Sequence, residues 1–191
     1  MNLIKINGES ISSIREIVQV NDSTSVGITT NGDMYSLITR ELVNLGSPIV
    51  SAYGVGMETS LIIVLLKNGR LRLVHVDESN QLVSLNSSEI DREIPHHAVM
   101  MTPIPNSTGF PYWLVATIDN QLIVITIGEL YVGRQDQGPH LYYLEIDGVV
   151  KTPYRIDYRD IASMINNTIV MNDGIIYSIK GQEGRYELVR L

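Results

Sequence analysis

The alternation of apolar and polar positions makes this chain a succession of short strands. Arg70-Leu71-Arg72-Leu73-Val74-His75-Val76 alternates for most of its length, the period-two pattern of a strand with one face buried. Leu61 to Leu66 and Leu122 to Ile127 are nearly continuous apolar runs, which predicts strands covered on both faces. Ile, Val, Leu, Tyr and Thr dominate these segments, and their branched or aromatic side chains suit a pleated surface. The best amphipathic stretches, Ile11 to Val18 and Tyr158 to Met164, are short and rich in β-branched residues, so neither predicts a stable helix. The fold class expected is all-β.

Turn chemistry sets the spacing of these strands. Asn7-Gly8, Asn31-Gly32, Asn68-Gly69, Asp147-Gly148 and Asp173-Gly174 each lie between β-prone segments. Such dipeptides suit two-residue type I′ hairpins, whose central residues both need positive φ. Asp119-Asn120 holds the equivalent place between WLVATI and QLIVITI. Around these turns the chain divides into four units of four short strands, at approximately 10–46, 47–86, 93–146 and 147–191 of a single domain. Their central turns, at Gly32, Gly69, Asn120 and Gly174, recur at intervals of roughly 40 to 50 residues, the period of propeller blades. The architecture predicted is a small β-propeller or a propeller-like array of four four-stranded units. Leu3-Ile4-Lys5-Ile6 and Tyr186 to Leu191 both alternate, and they are the strands expected to pair if the ring closes.

Ile17-Val18-Gln19-Val20, followed by Ser25-Val26-Gly27-Ile28-Thr29-Thr30-Asn31-Gly32-Asp33-Met34-Tyr35-Ser36, resembles a repeat of the regulator-of-chromosome-condensation family. In that family a strand such as IVQVACG leads to HSLALTxDGxVYSWG. Ile49-Val50-Ser51-Ala52-Tyr53-Gly54, then Thr59 to Val64 and Lys67-Asn68-Gly69-Arg70-Leu71, is similar. The likeness is best over residues 15–86. Leu37-Ile38 stands where the family has Trp-Gly, and Thr24 and Thr59 stand where it has histidine. The resemblance implies a propeller-like fold and binding of partner proteins through one rim. The founding member's nucleotide-exchange activity is not carried over, because its functional loops cannot be placed on this sequence.

Composition narrows the function classes. With 44% hydrophobic and 18% charged residues, the chain is too apolar to be disordered. A formal charge of -7 argues against nucleic acid or anionic lipid as a partner of the whole surface. The lack of cysteine removes disulfides, thiolate metal sites and thiol nucleophiles. No apolar run approaches the roughly 20 residues of a membrane span, and MNLIKINGES has no secretory h-region. The expectation is a soluble protein without a membrane partner, cytoplasmic or part of a particle.

Catalytic chemistry is sparse. His96-His97, near Asp91 and Glu93, could serve a metal or an enzyme's rim pocket, but adjacent residues on a strand point to opposite faces, and Pro95 favours a loop. Gly54-Val55-Gly56-Met57-Glu58-Thr59 resembles a phosphate loop in glycine content alone, since a strand rather than a helix follows it. No Gly-x-Ser-x-Gly elbow occurs. The expectation is a protein that is not an enzyme, with neither cofactor nor metal.

Tyrosine and arginine usage points elsewhere. Leu141-Tyr142-Tyr143-Leu144 and Pro153 to Asp160 gather Tyr142, Tyr143, Tyr154, Arg155, Tyr158 and Arg159. Extended, the second segment puts Tyr154, Ile156 and Tyr158 on one face and Arg155, Asp157 and Arg159 on the other. Tyr and Arg are enriched at interface hot spots because they give large contact area at low entropic cost. The bland alternative is an Arg–Asp ladder on a solvated strand whose tyrosines pack inward. A proline-rich loop, Thr102 to Trp113, adds Phe110, Tyr112 and Trp113, although Trp113 could equally begin a core strand. The function expected is a non-catalytic protein–protein interaction or scaffold module that binds a protein partner or itself. The alternatives are a structural component of a larger, viral or phage, assembly and a ligand- or metal-binding enzyme using His96 and His97.

Overall fold

The computed structural model describes residues 5–6, 9–10, 13–56, 59–85, 97–105, 112–131 and 140–191. Strands dominate it, and Tyr158–Asp160, one 3-10 turn, is the helical element among the described residues. The short β1 (Lys5–Ile6) and β2 (Glu9–Ser10) pair with each other. Four antiparallel meanders follow. The first is β3 (Ile14–Gln19), β4 (Ser25–Thr29), β5 (Met34–Ser36) and β6 (Leu42–Val43). The second is β7 (Ile49–Gly54), β8 (Leu61–Leu66), β9 (Leu71–Val76) and β10 (Leu82–Leu85). The third is β11 (Ala98–Ile104), β12 (Tyr112–Thr117), β13 (Leu122–Tyr131) and β14 (His140–Lys151). The fourth is β15 (Ile161–Ile165), β16 (Thr168–Met171), β17 (Ile176–Gln182) and β18 (Arg185–Arg190).

Where the sequence reads as one domain, the chain divides into two compact units, 1–86 and 87–191. Each has its own core. In the first unit, Val18, Ile28 and Met34 of one meander pack with Ile62, Val64 and Val74 of the next. In the second, Leu114, Val124, Val150, Ile169, Ile179 and Leu188 lie in one buried cluster. The third and fourth meanders join there into one eight-stranded sheet, through a short parallel pairing of Val150 with Tyr186 and Lys151 with Glu187. That sheet curls until its edges nearly meet: the Asn166 N–H donates to Thr102 Oγ1 on β11 at 3.0 Å. All six residues of β8 are buried, as a continuous apolar run requires.

Asn31-Gly32, Asn68-Gly69 and Asp173-Gly174 do form tight turns, in a different geometry from the one expected. In each case three residues rather than two link the strands. The Thr29 N–H reaches Asp33 O, and the Gly32 N–H returns to Thr29 O. The same two bonds recur at Leu66–Arg70, Asp77–Gln81, Thr117–Gln121 and Met171–Ile175. The last of the three linking residues takes positive φ: Gly32 at 84°, Gly69 at 80°, Asn80 at 62°, Asn120 at 65° and Gly174 at 85°. This is a type I turn followed by a left-handed residue, which needs Gly or Asn at one position. The preceding Asn or Asp works through its side chain, as Asn68 Oδ1 accepts the Arg70 N–H at 3.1 Å and Asp173 Oδ1 that of Ile175 at 3.0 Å. Asn7 and Gly8 lie outside the described residues.

A second device recurs with the first. The opening strand of every meander carries a β-bulge, at Arg15, Val50, Val99 and Ala162, directly after the residue paired with the start of the tight turn. The N–H of the next turn residue then donates to the carbonyl just before that strand. These bonds run from Thr30 to Ser13, Lys67 to Pro48, Ile118 to His97 and Asn172 to Asp160, at 2.8–3.0 Å. Four stretches of differing sequence therefore share one backbone plan.

Two expectations need correction. Asp147-Gly148 is not a hairpin turn between units. It lies inside β14, where Val124 pairs with Gly148 and Ile125 with Ile146, leaving Asp147 as a bulged residue. Asp-Gly suits either role, because a bulge also needs permissive backbone. The Tyr186 to Leu191 segment does not pair with the N-terminal strand: β18 lies between β17 and β14, and β1 pairs with β2. Leu3 and Ile4 lie outside the described residues. Among those residues no helix is long and apolar enough to cross a membrane.

Candidate partner-binding surface

The segment from Thr152 to Asp160 links β14 to β15 and is held on both sides. Thr152 starts it with a local turn, its Oγ1 accepting the Tyr154 N–H at 3.0 Å and donating to Tyr154 O at 2.8 Å. Ile156 is buried in the core of the second unit, and Tyr158 packs against that core. Tyr154, though partly exposed, sets its ring 5.1 Å from that of Tyr177, tilted by 47°. The inward face therefore follows the alternation read from the sequence, and Arg155 and Arg159 are exposed.

Two turns brace the backbone. Asn120 Oδ1, from the tight turn of the third meander, accepts the Tyr158 N–H at 2.9 Å. Asn172, from that of the fourth, donates through Nδ2 to Arg159 O at 3.2 Å. Asp157 caps the 3-10 turn, taking the Arg159 N–H at 3.0 Å and Arg159 Nε at 2.9 Å, with Nη2 on its other oxygen. The Arg159 side-chain bonds, then its backbone N–H, hold the Asp157 carboxyl down at about 2, while Asp157 pushes the Arg159 guanidinium further up. Because the folded-state value is depressed, this cap is at full strength above the ordinary carboxylate range near 3.9 and is lost as pH falls through about 2. The Arg159 Nε–H resonance should therefore hold its position down to about pH 3 and move as pH falls through about 2. Movement complete by pH 5 would place the proton elsewhere.

The other residues singled out from the sequence go to different places. Tyr142 and Tyr143, half-buried on β14, point to opposite faces, roughly 25 Å along the strand from Val150. The Tyr143 ring lies across Gly128, its partner on β13, where an added Cβ would meet ring carbons at 2.3 Å. Trp113 is 1% exposed, which makes it a core residue, and its Nε1 has no acceptor among the described residues. Tyr112 is half-buried, and its phenol is pushed up first by burial and then by Asp147 and Glu183. Phe110 and His96 lie outside the described residues. His97 is exposed and takes φ 73°. Among the described residues no group of three or more His, Asp or Glu is arranged to hold a metal.

One polar cluster has no warning in the sequence. The bulge aims the Asp147 carboxylate at the β17–β18 turn, where it accepts the Tyr186 hydroxyl and, at 3.1 Å, the Gly184 N–H. Burial and then this bond push the Tyr186 phenol up, so it stays a proton donor. The partners are far apart in sequence, and the cluster ties β18 to β14. No family model matches the chain, and no curated protein matches it.

Proposed function

We propose that this chain is a non-catalytic interaction or scaffold module, a propeller-like array of four meanders that docks a protein partner, or another copy of itself, through an exposed rim. The shared bulge and turn plan of the meanders supports the repeat reading, since propeller blades are repeated four-stranded antiparallel units. The docking reading rests on one observation: Thr152 to Asp160 is anchored by Ile156 and Tyr158 and braced by Asn120 and Asn172, so Tyr154, Arg155 and Arg159 sit on a pre-organised surface. Ordering side chains before association lowers the entropic cost of binding, and Tyr and Arg dominate interface energies.

Arg155→Glu tests this reading, because Arg155 is exposed and takes part in none of the bracing bonds. The variant should melt with the parent chain. In a quantitative assay of partner capture or self-association it should bind about tenfold or more weakly, the loss expected at a hot-spot arginine. Unchanged association by a folded Arg155→Glu chain would remove the segment from any interface.

A further inference from the structure

We infer a binding site for a phosphate-type oxyanion in the first unit, in the cleft where the tight turn of its first meander meets the opening strand of its second. The cleft is an open groove of about 340 Å³. Arg15, Thr30, Asn31 and Lys67 are among the residues that line it, and among the described residues no Asp or Glu does. In a chain of net charge -7, two cationic residues lining one cleft favour an anion there.

The guanidinium is pre-organised. Arg15 is the bulged residue of β3, and its Nη2 donates to Ile49 O at 2.7 Å and Val50 O at 3.0 Å. Those bonds use both hydrogens of Nη2 and fix the plane of the group, leaving Nη1 and Nε as separate donors that point in different directions. A fixed guanidinium with a donor left over gives an oxyanion one charge-assisted contact, and a lysine adds a mobile point charge. The side chains of Thr30, Asn31 and Lys67 make no hydrogen bond or ion pair among the described residues.

The repeated backbone plan shows that the fold does not demand these side chains. In the second unit the tight turn of the third meander and the opening strand of the fourth use the same bulges and the same turn bonds. There the positions of Arg15, Thr30, Asn31 and Lys67 are held by Val99, Ile118, Asp119 and Asn172. Those four side chains offer no cation and one carboxylate. The same plan is thus built without a cation, and the basic set belongs to this one cleft.

The test is a titration with inorganic phosphate at constant ionic strength, followed by the side-chain resonances of Arg15 Nε and Lys67 Nζ in the full chain. Saturable shifts at both groups are expected. Lys67→Gln, which touches no backbone bond, should weaken binding by about tenfold or more, the loss of one charge-assisted contact. Arg15→Gln should do the same, and its melting temperature separates lost binding from lost packing at Ile49 and Val50. Shifts no larger than those from matched sodium chloride, or undiminished phosphate binding by Lys67→Gln, would overturn the site.

Discussion

Gly54→Ala will lower the melting temperature of the first unit by on the order of 10 °C. Gly54 ends β7 where that strand passes β3, and a Cβ built there would lie 2.1 Å from the Gln19 carbonyl oxygen and 3.2 Å from its carbon. Both atoms are backbone, so no side-chain rotation relieves the contact. β3 or β7 must move, and both lie against the core shared by Val18, Val20 and Ala52. Overpacking of this kind costs roughly 1–3 kcal/mol, and more where the neighbour is fixed. Gly174→Ala is the comparison. Its φ of +85° makes any Cβ strained, but nothing lies within 4 Å, so the cost should stay at about 1–2 kcal/mol. Differential scanning calorimetry of the two variants decides the matter. Equal losses would mean that the β3–β7 approach yields at no more cost than one strained left-handed residue.

That glycine also marks how far the sequence can be read. Gly54 closes the strand Ile49–Gly54, and a close backbone approach is a physical reason for glycine there. The strands and tight turns were legible because their signals are local: alternation within a strand, and Gly or Asn at the one left-handed position. The turn geometry was not. The dipeptide cannot say whether one or both of its residues take positive φ. The two-residue hairpin with both central φ positive occurs instead at Glu183 (50°) and Gly184 (76°), where glutamate gives little warning.

The candidate surface divides along the same line. Alternation correctly turns Ile156 and Tyr158 inward and Arg155 outward, a property of a few adjacent residues. The bracing by Asn120 arises 38 residues away and follows from the meanders coming together. Trp113 was ambiguous because an aromatic beside a proline-rich loop suits a rim or a core. Its strand register, with Pro103 on one side and Ile125 on the other, makes it core.

Deleting residues 186–191 will remove the cooperative unfolding of the second unit or prevent it from folding. β18 is an interior strand, hydrogen-bonded to β17 along its length and to β14 at Val150 and Lys151. It is the one connection that makes a single eight-stranded sheet of the third and fourth meanders. Its removal exposes two unpaired edges, on β14 and β17, and such edges invite association between chains. It also takes Tyr186 and Leu188, 7% and 2% exposed, out of the core, and leaves the Asp147 carboxylate without its hydroxyl donor. Loss of a buried leucine side chain alone costs roughly 2–5 kcal/mol, a large part of the stability of a domain this size. Removal of Leu191 by itself provides the control, since that side chain is 72% exposed and its backbone adds one bond, from its N–H to Ile176 O. The shorter deletion should leave the melting profile nearly unchanged, whereas the longer one should abolish the second unit's transition and raise the aggregated fraction in size-exclusion chromatography. A chain lacking 186–191 that stays monomeric and melts with the parent would mean that β14 and β17 need no strand between them.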